Sequence, residues 1–177
     1  MKTTQILIAG FGGQGVLFAG KFLAYKGLTA DKQVSWLPSY GPEMRGGTAN
    51  CSIVISDQPV GSPIITTPDV LVAMNLPSLL KFVDSVVPGG QIFIDSTLIG
   101  EKVERTDVTV HYIPATQIAK DAGFSTLANM VLMGKLMKEC DAVTFEGNKD
   151  TLKAFIPAKK ENLIDLNCQA LQAGYDF

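Results

Sequence analysis

The chain reads as an α/β domain built on a mainly parallel sheet flanked by helices, and three observations predict it. Apolar segments of strand length alternate with segments of helical periodicity along the whole sequence. The first such strand runs directly into a glycine-rich turn and a helix, as in a Rossmann-like unit. No internal repeat, low-complexity tract or linker interrupts the 177 residues, so residues 1–177 are expected to form one domain.

Each element has a local reason. Strands are expected at Gln5–Ala9, Gln33–Leu37, Ala49–Ser56, Val70–Asn75, Gln91–Asp95 and Val108–Ile113. The run Ile6 to Ala9 is apolar throughout, as in a strand buried on both faces. Val16, Phe18, Ala19, Phe22, Leu23 and Tyr25 then mark a largely apolar helix. A helix over about Pro77 to Val87 carries Leu76, Leu79, Leu80, Val83 and Val87 at helical spacing, and Pro88, Gly89 and Gly90 end it. Pro114 suits the first position of a helix through Ala122. From Ser125 to Lys138 the pattern is apolar on nearly every face, which requires cover on two sides. A central core helix and a helix shared with a partner subunit both fit. Three methionines and Gly134 favour the partner. Leu163, Leu166, Ala170 and Leu171 predict a last docking helix within Asn162 to Tyr175.

Bulk properties narrow the function. Charged residues make up 18%, below the roughly 25% of ordinary domains, as suits a chain covered by partners. A net charge of −2 offers no basic stripe for nucleic acid. No segment reads as a membrane span or a signal peptide. Cys51, Cys140 and Cys168 are three and widely spaced, which points to reduced thiols in the cytoplasm and falls short of the four thiolates of an iron–sulfur site. His111 is the only histidine, so a zinc site is not expected, and in a strand it reads as structural. No catalytic residue and no metal ligand is expected in this chain.

Two motifs carry the chemistry. The first is Gly10-Phe11-Gly12-Gly13-Gln14-Gly15, with Gly10, Gly12 and Gly15 in the G-x-G-x-x-G pattern. Free N–H groups at the following helix start favour an anion such as a phosphate. A dinucleotide site also needs an acid at the end of the second strand. Asp31 falls in the turn before that strand, which itself ends in Leu37, Pro38 and Ser39. A tight turn is therefore the stronger reading. The second motif is the loop from Ser39 to Gly47, just after Pro38, where Tyr40, Glu43 and Arg45 sit among Pro42 and three glycines. Few charges on a stiff loop point to an interface or a ligand wall, with Arg45 suited to a carboxylate or phosphate. Asp95, Ser96 and Thr97 close the fifth strand and read as turn or helix capping.

Taken together, Gly10 to Gly15 and Tyr40 to Gly47 resemble the γ subunit of 2-oxoacid:ferredoxin oxidoreductases. Asn50 to Ser56, Asn75 to Pro77, Asn129 with Met130, and the tail from Asn167 to Tyr175 follow in the same order. The resemblance covers the whole chain and is nearest to the 2-oxoglutarate type. Branched-chain, pyruvate and indolepyruvate enzymes are related alternatives, and an independent dinucleotide-binding protein is the alternative from another class. The resemblance implies a multi-subunit enzyme that turns a 2-oxoacid and coenzyme A into acyl-CoA and carbon dioxide, reducing ferredoxin. It implies thiamine diphosphate and iron–sulfur clusters on partner chains of α, β and ferredoxin-like δ type, and no activity of this chain alone. Gly10, Gly12, Gly13, Gln14, Gly15 and Arg45 would then be phosphate, coenzyme A-side or interface contacts. Tyr40, Glu43, Arg45, Asn129, Met130 and Met133 would face partner subunits.

Overall fold

A computed structural model describes residues 2–40 and 48–177, with Tyr40 described by its backbone alone. Six strands form one sheet in the order β2-β3-β1-β4-β5-β6, where β1 is Thr3–Phe11, β2 Gln33–Tyr40, β3 Thr48–Ser56, β4 Val70–Ala73, β5 Gln91–Asp95 and β6 Thr109–Ile113. The pairs β1·β4, β4·β5 and β5·β6 are parallel, whereas β3 runs antiparallel to both β1 and β2. Every expected strand forms, with ends shifted by two residues at most except at β2, which runs three residues further. The reversal of β3 is the one departure from a parallel sheet. Strand period reports which faces are buried and is blind to polarity.

Side chains alternate across β1. Ile6 and Ile8 enter the larger core with Cys51, Ile53, Phe22 and Leu23, while Leu7 enters the smaller core with Leu71, Ile92 and Ile94. Helix α1 (Val16–Thr29) packs over β3, β2 and β1, and α2 (Leu76–Phe82) covers the opposite face, followed by a short 3-10 turn at Val83–Ser85. Asn75 caps α2, its Oδ1 accepting from the Ser78 N–H at 2.8 Å. Pro114 precedes α3 (Ala115–Asp121) as its cap and not as its first residue.

Helix α4 (Ala128–Glu139) settles the two-sided pattern. Met130, Val131, Leu132, Met133 and Leu136 are all at 0% exposure within the chain itself. The sheet side is met by α3, α1 and β5, and the outer side by α6 (Asn162–Asp176), the predicted tail helix. The expectation that Met130 and Met133 face a partner is thereby corrected: both are fully buried within the chain itself and offer it no surface. Asn129, 3% exposed, is likewise internal. The contact of α4 and α6 is a backbone contact at glycines. A methyl group on Gly134 would lie 1.9 Å from the Leu171 carbonyl oxygen, and one on Gly174 would lie 1.8 Å from that of Val131. Sequence periodicity missed α5 (Asn148–Lys153), a six-residue helix too short to show a face. It is held to α1 through the buried Lys26, whose ammonium donates to the Glu146 carbonyl.

Gly134→Val is therefore expected to destabilise the chain by about 3 kcal/mol or more, since no rotamer change relieves a clash with backbone. Gly100→Ala, at a position open to solvent, should stay within about 0.5 kcal/mol. Urea unfolding midpoints of the two variants check this, and equal midpoints would contradict the glycine contact.

Candidate functional site

The carboxyl ends of β1, β4, β5 and β6 meet at one edge of the sheet, together with the end of β2 and the start of β3. The glycine turn stands at its centre. The exposed Gly12 and Gly13 reverse the chain, Gly13 with φ 95°, and the Gln14 N–H donates to the Phe11 carbonyl at 3.2 Å. Gly15 caps α1 in the left-handed region, with φ 74°. It also lets α4 approach, because a methyl group there would lie 2.4 Å from Asn129 Nδ2. That amide donates to the Gly15 carbonyl at 3.1 Å, leaving Asn129 Oδ1 buried and without a partner.

Gln14 folds back beneath the turn. Its Oε1 accepts from the Phe11 N–H at 2.6 Å, and its Nε2 donates to the Met74 carbonyl at 3.0 Å. Gly10 makes room for it, as a methyl group there would lie 2.6 Å from Gln14 Oε1 and 2.9 Å from Met74 Cβ. Over the turn lies a groove of about 270 Å³ lined by Phe11, Gly12, Gly13, Gly15, Val16, Leu17, Phe18 and Ala49. Helix α1 begins with no side-chain cap and no acid in its first turn. Its first N–H groups consequently carry uncompensated positive partial charge, which suits an anion at its entrance.

The other predicted chemistry resolves into structure. Asp95 is buried, and its carboxylate accepts from the Thr97 and Thr116 N–H groups at 3.2 and 3.3 Å and from the Thr116 hydroxyl at 2.5 Å, so it anchors the start of α3. His111 stacks on Phe93 at 4.5 Å, bonds Gln91 Oε1 at 3.1 Å, and has its pKa lowered by burial. Burial pushes the Cys51 thiol up to about 12, against an opposing hydrogen bond with Trp36. Among the described residues no group of three or more His, Cys, Asp or Glu side chains converges as a metal site. Among the same residues no helix is long and apolar enough to cross a membrane. Glu43 and Arg45 lie outside the described residues. Sequence reasoning singled out Gln14 as a ligand or interface contact and Asn129 as a partner-facing residue, and saw neither of the backbone bonds they make. Their bonds to Met74 and Gly15 span 60 and 114 residues, so nothing local announces them.

The dinucleotide reading loses its ribose acid for a topological reason. Antiparallel β3 separates β2 from β1, so the end of β2 stands about 10 Å from the turn across two strand spacings. Asp31, with φ 55°, follows the far end of α1, about 20 Å from its start. The geometry defines a Rossmann-like α/β domain whose glycine turn opens on an anion-favouring groove and whose described residues supply no companion acid of the dinucleotide-enzyme kind. Residues 5–177 match the family described as pyruvate ferredoxin/flavodoxin oxidoreductase, and the chain belongs to that family. It is 43% identical over 174 residues to the ketoisovalerate oxidoreductase subunit VorA of Methanothermobacter thermautotrophicus, covering 98% of this chain and 36% of that one. The chain thus spans about a third of the length of the curated relatives it matches first. Its fold matches the γ subunit of a keto/oxoacid ferredoxin oxidoreductase from Geobacter sulfurreducens, with a TM-score of 0.85, 27% identity, and 99% and 96% of the two chains covered. It also matches a 2-oxoglutarate:ferredoxin oxidoreductase from Magnetococcus marinus solved with 2-oxoglutarate, coenzyme A and succinyl-CoA, with a TM-score of 0.85 and 25% identity over 99% of this chain and 31% of that one.

Because Cys51 holds its proton up to about 12 in the folded chain against the ordinary 9.0, its contribution to stability is full below about 9 and is lost as pH rises toward 12. Between pH 8 and pH 10 that loss should amount to about 1–2 kcal/mol. Cys51→Ala should flatten the slope in denaturant titrations at the two pH values, and an unchanged slope would refute the assignment.

Proposed function

We propose that the chain is the γ-type subunit of a 2-oxoacid:ferredoxin oxidoreductase, contributing the coenzyme A side of the active assembly. The carrying observation is the end-to-end likeness to a free-standing γ subunit, with 99% and 96% of the two chains covered. The overall reaction joins the acyl group of a 2-oxoacid to the thiol of coenzyme A, releases carbon dioxide, and passes two electrons to ferredoxin. In this reading thiamine diphosphate and iron–sulfur clusters belong to partner chains, where they would supply the decarboxylation and electron-transfer chemistry. The donor set here does not suit those groups. Cys51 and Cys140 are buried and Cys168 lies half-buried on α6, short of a four-thiolate set.

What this chain offers is an anion cradle. The phosphates of coenzyme A fit the chemistry of the α1 entrance, and the apolar walls of Phe11, Leu17 and Phe18 suit the neutral pantetheine or adenine parts. Arg45 falls in sequence between Tyr40 and Thr48, four residues before groove residue Ala49, and is assigned a phosphate contact in the same reading. Tyr40 and Glu43 are assigned to a partner-facing surface. For the oxoacid, the 43% identity to a ketoisovalerate enzyme favours a branched-chain substrate over the 2-oxoglutarate that the loop sequence suggests. Location in the cytoplasm belongs to the same proposal, as ferredoxin is the electron acceptor.

Tagged chain purified anaerobically from its native cells should carry larger partner chains, thiamine diphosphate and iron. Its coenzyme A-dependent ferredoxin reduction should be fastest with one class in a panel of 2-oxoacids. A lone chain bearing a nicotinamide or flavin would sink the proposal. In the assembled enzyme, Leu17→Glu adds a charge that suits the start of a helix but repels phosphate. It and Arg45→Ala should each raise the KM for coenzyme A about tenfold with little change in kcat.

A further inference from the structure

The parallel ladder between β1 and β4 stops one rung early. Ala9 pairs with Ala73, and the Met74 N–H donates to the Ala9 carbonyl at 2.9 Å. The next rung of such a ladder would run from the Phe11 N–H to the Met74 carbonyl. The Gln14 carboxamide occupies that rung instead. It receives the Phe11 N–H on Oε1 and gives Nε2–H to Met74, so one side-chain amide stands where a direct backbone bond would close the sheet. Two consequences follow from the chemistry of an amide, which offers a donor and an acceptor in one plane. The two strands are held apart at their carboxyl ends by the width of a carboxamide. The turn Gly12–Gly13, which lies between Phe11 and Gln14, is clamped at both of its ends, by this bond and by the Gln14 N–H on the Phe11 carbonyl. Gly10 is the sequence mark of the device, because any side chain there would strike Gln14 Oε1.

The geometry points to Gln14 as a positioning residue. It fills the crevice between β1 and β4, where open α/β sheets ordinarily admit a ligand, and thereby fixes the turn so that the start of α1 serves the Phe11–Ala49 groove on the other side of β1. Gln14 acts through Phe11 and Met74 and need not touch the ligand. Asn129 supports the same turn from behind through the Gly15 carbonyl. This inference rests on the reading of the groove as the coenzyme A side.

The test is steady-state kinetics of the assembled oxidoreductase carrying Gln14→Leu, Gln14→Glu or Leu17→Glu. Gln14→Glu is isosteric and keeps the acceptor for Phe11 while losing the donor to Met74, so it serves should the leucine variant fail to assemble. Both Gln14 variants are expected to raise the KM for coenzyme A about tenfold, with kcat within about twofold and the KM for the 2-oxoacid unchanged. Amide exchange at Phe11 should quicken in the leucine variant. A wild-type KM in the Gln14 variants alongside a raised KM in Leu17→Glu would overturn the positioning role and leave the groove standing. A raised KM in the Gln14 variants alone would mean that Gln14 meets the ligand itself, which also overturns it. Loss of kcat with no change in the KM for coenzyme A would reduce Gln14 to a structural part. A wild-type KM in all three would remove the groove reading and the inference together.

Discussion

Backbone pairing of β1 along both edges is the constraint on which the structure depends. Held by β3 on one side and β4 on the other, with Ile6, Ile8 and Leu7 buried on opposite faces, β1 cannot shift register without exposing a core. Its carboxyl end is therefore the most fixed point on that edge of the sheet. A glycine turn leaving that point inherits its position, and so does the helix that follows. The groove over the turn is built on this fixed strand end, with Phe11 from β1 and Ala49 from its neighbour β3 as walls.

Reversal of β3 is what makes this domain differ from a nucleotide-binding unit with the same opening sequence. The insertion moves β2 to the edge and carries the ribose-binding position away from the turn. It also brings the start of β3 to the functional edge, placing Thr48 opposite Phe11 and Ala49 opposite Gly10. The residues between Tyr40 and Thr48, which hold the second motif, thus join two strand ends at the edge where the first motif stands.

Polar side chains at this edge act mostly on backbone. Gln14 bonds Phe11 and Met74, Asn129 bonds Gly15, Asn75 caps α2, and Asp95 gathers Thr97 and Thr116. Each ties the end of one element to the start of another, which leaves the helix-start N–H groups of α1 as a free polar surface of the groove among the described residues. Such a division suits a subunit that shapes a ligand path and leaves bond making to cofactors held elsewhere.

The sequence by itself determined the six strands, most of the helices, the glycine turn and the family, because each rests on local periodicity, turn chemistry or contiguous motif residues. It determined as well that α4 must be covered twice, since its apolar positions surround the helix. Only the tertiary structure decided that the second cover is α6 and not a partner, because the glycines at 134 and 174 meet across 40 residues of chain. Strand polarity was hidden for a similar reason, as alternation looks the same in both directions. The role of Gln14 was hidden most deeply. Within its motif it is one residue among glycines, and its partner Met74 follows the end of β4, brought near only when β4 pairs with β1.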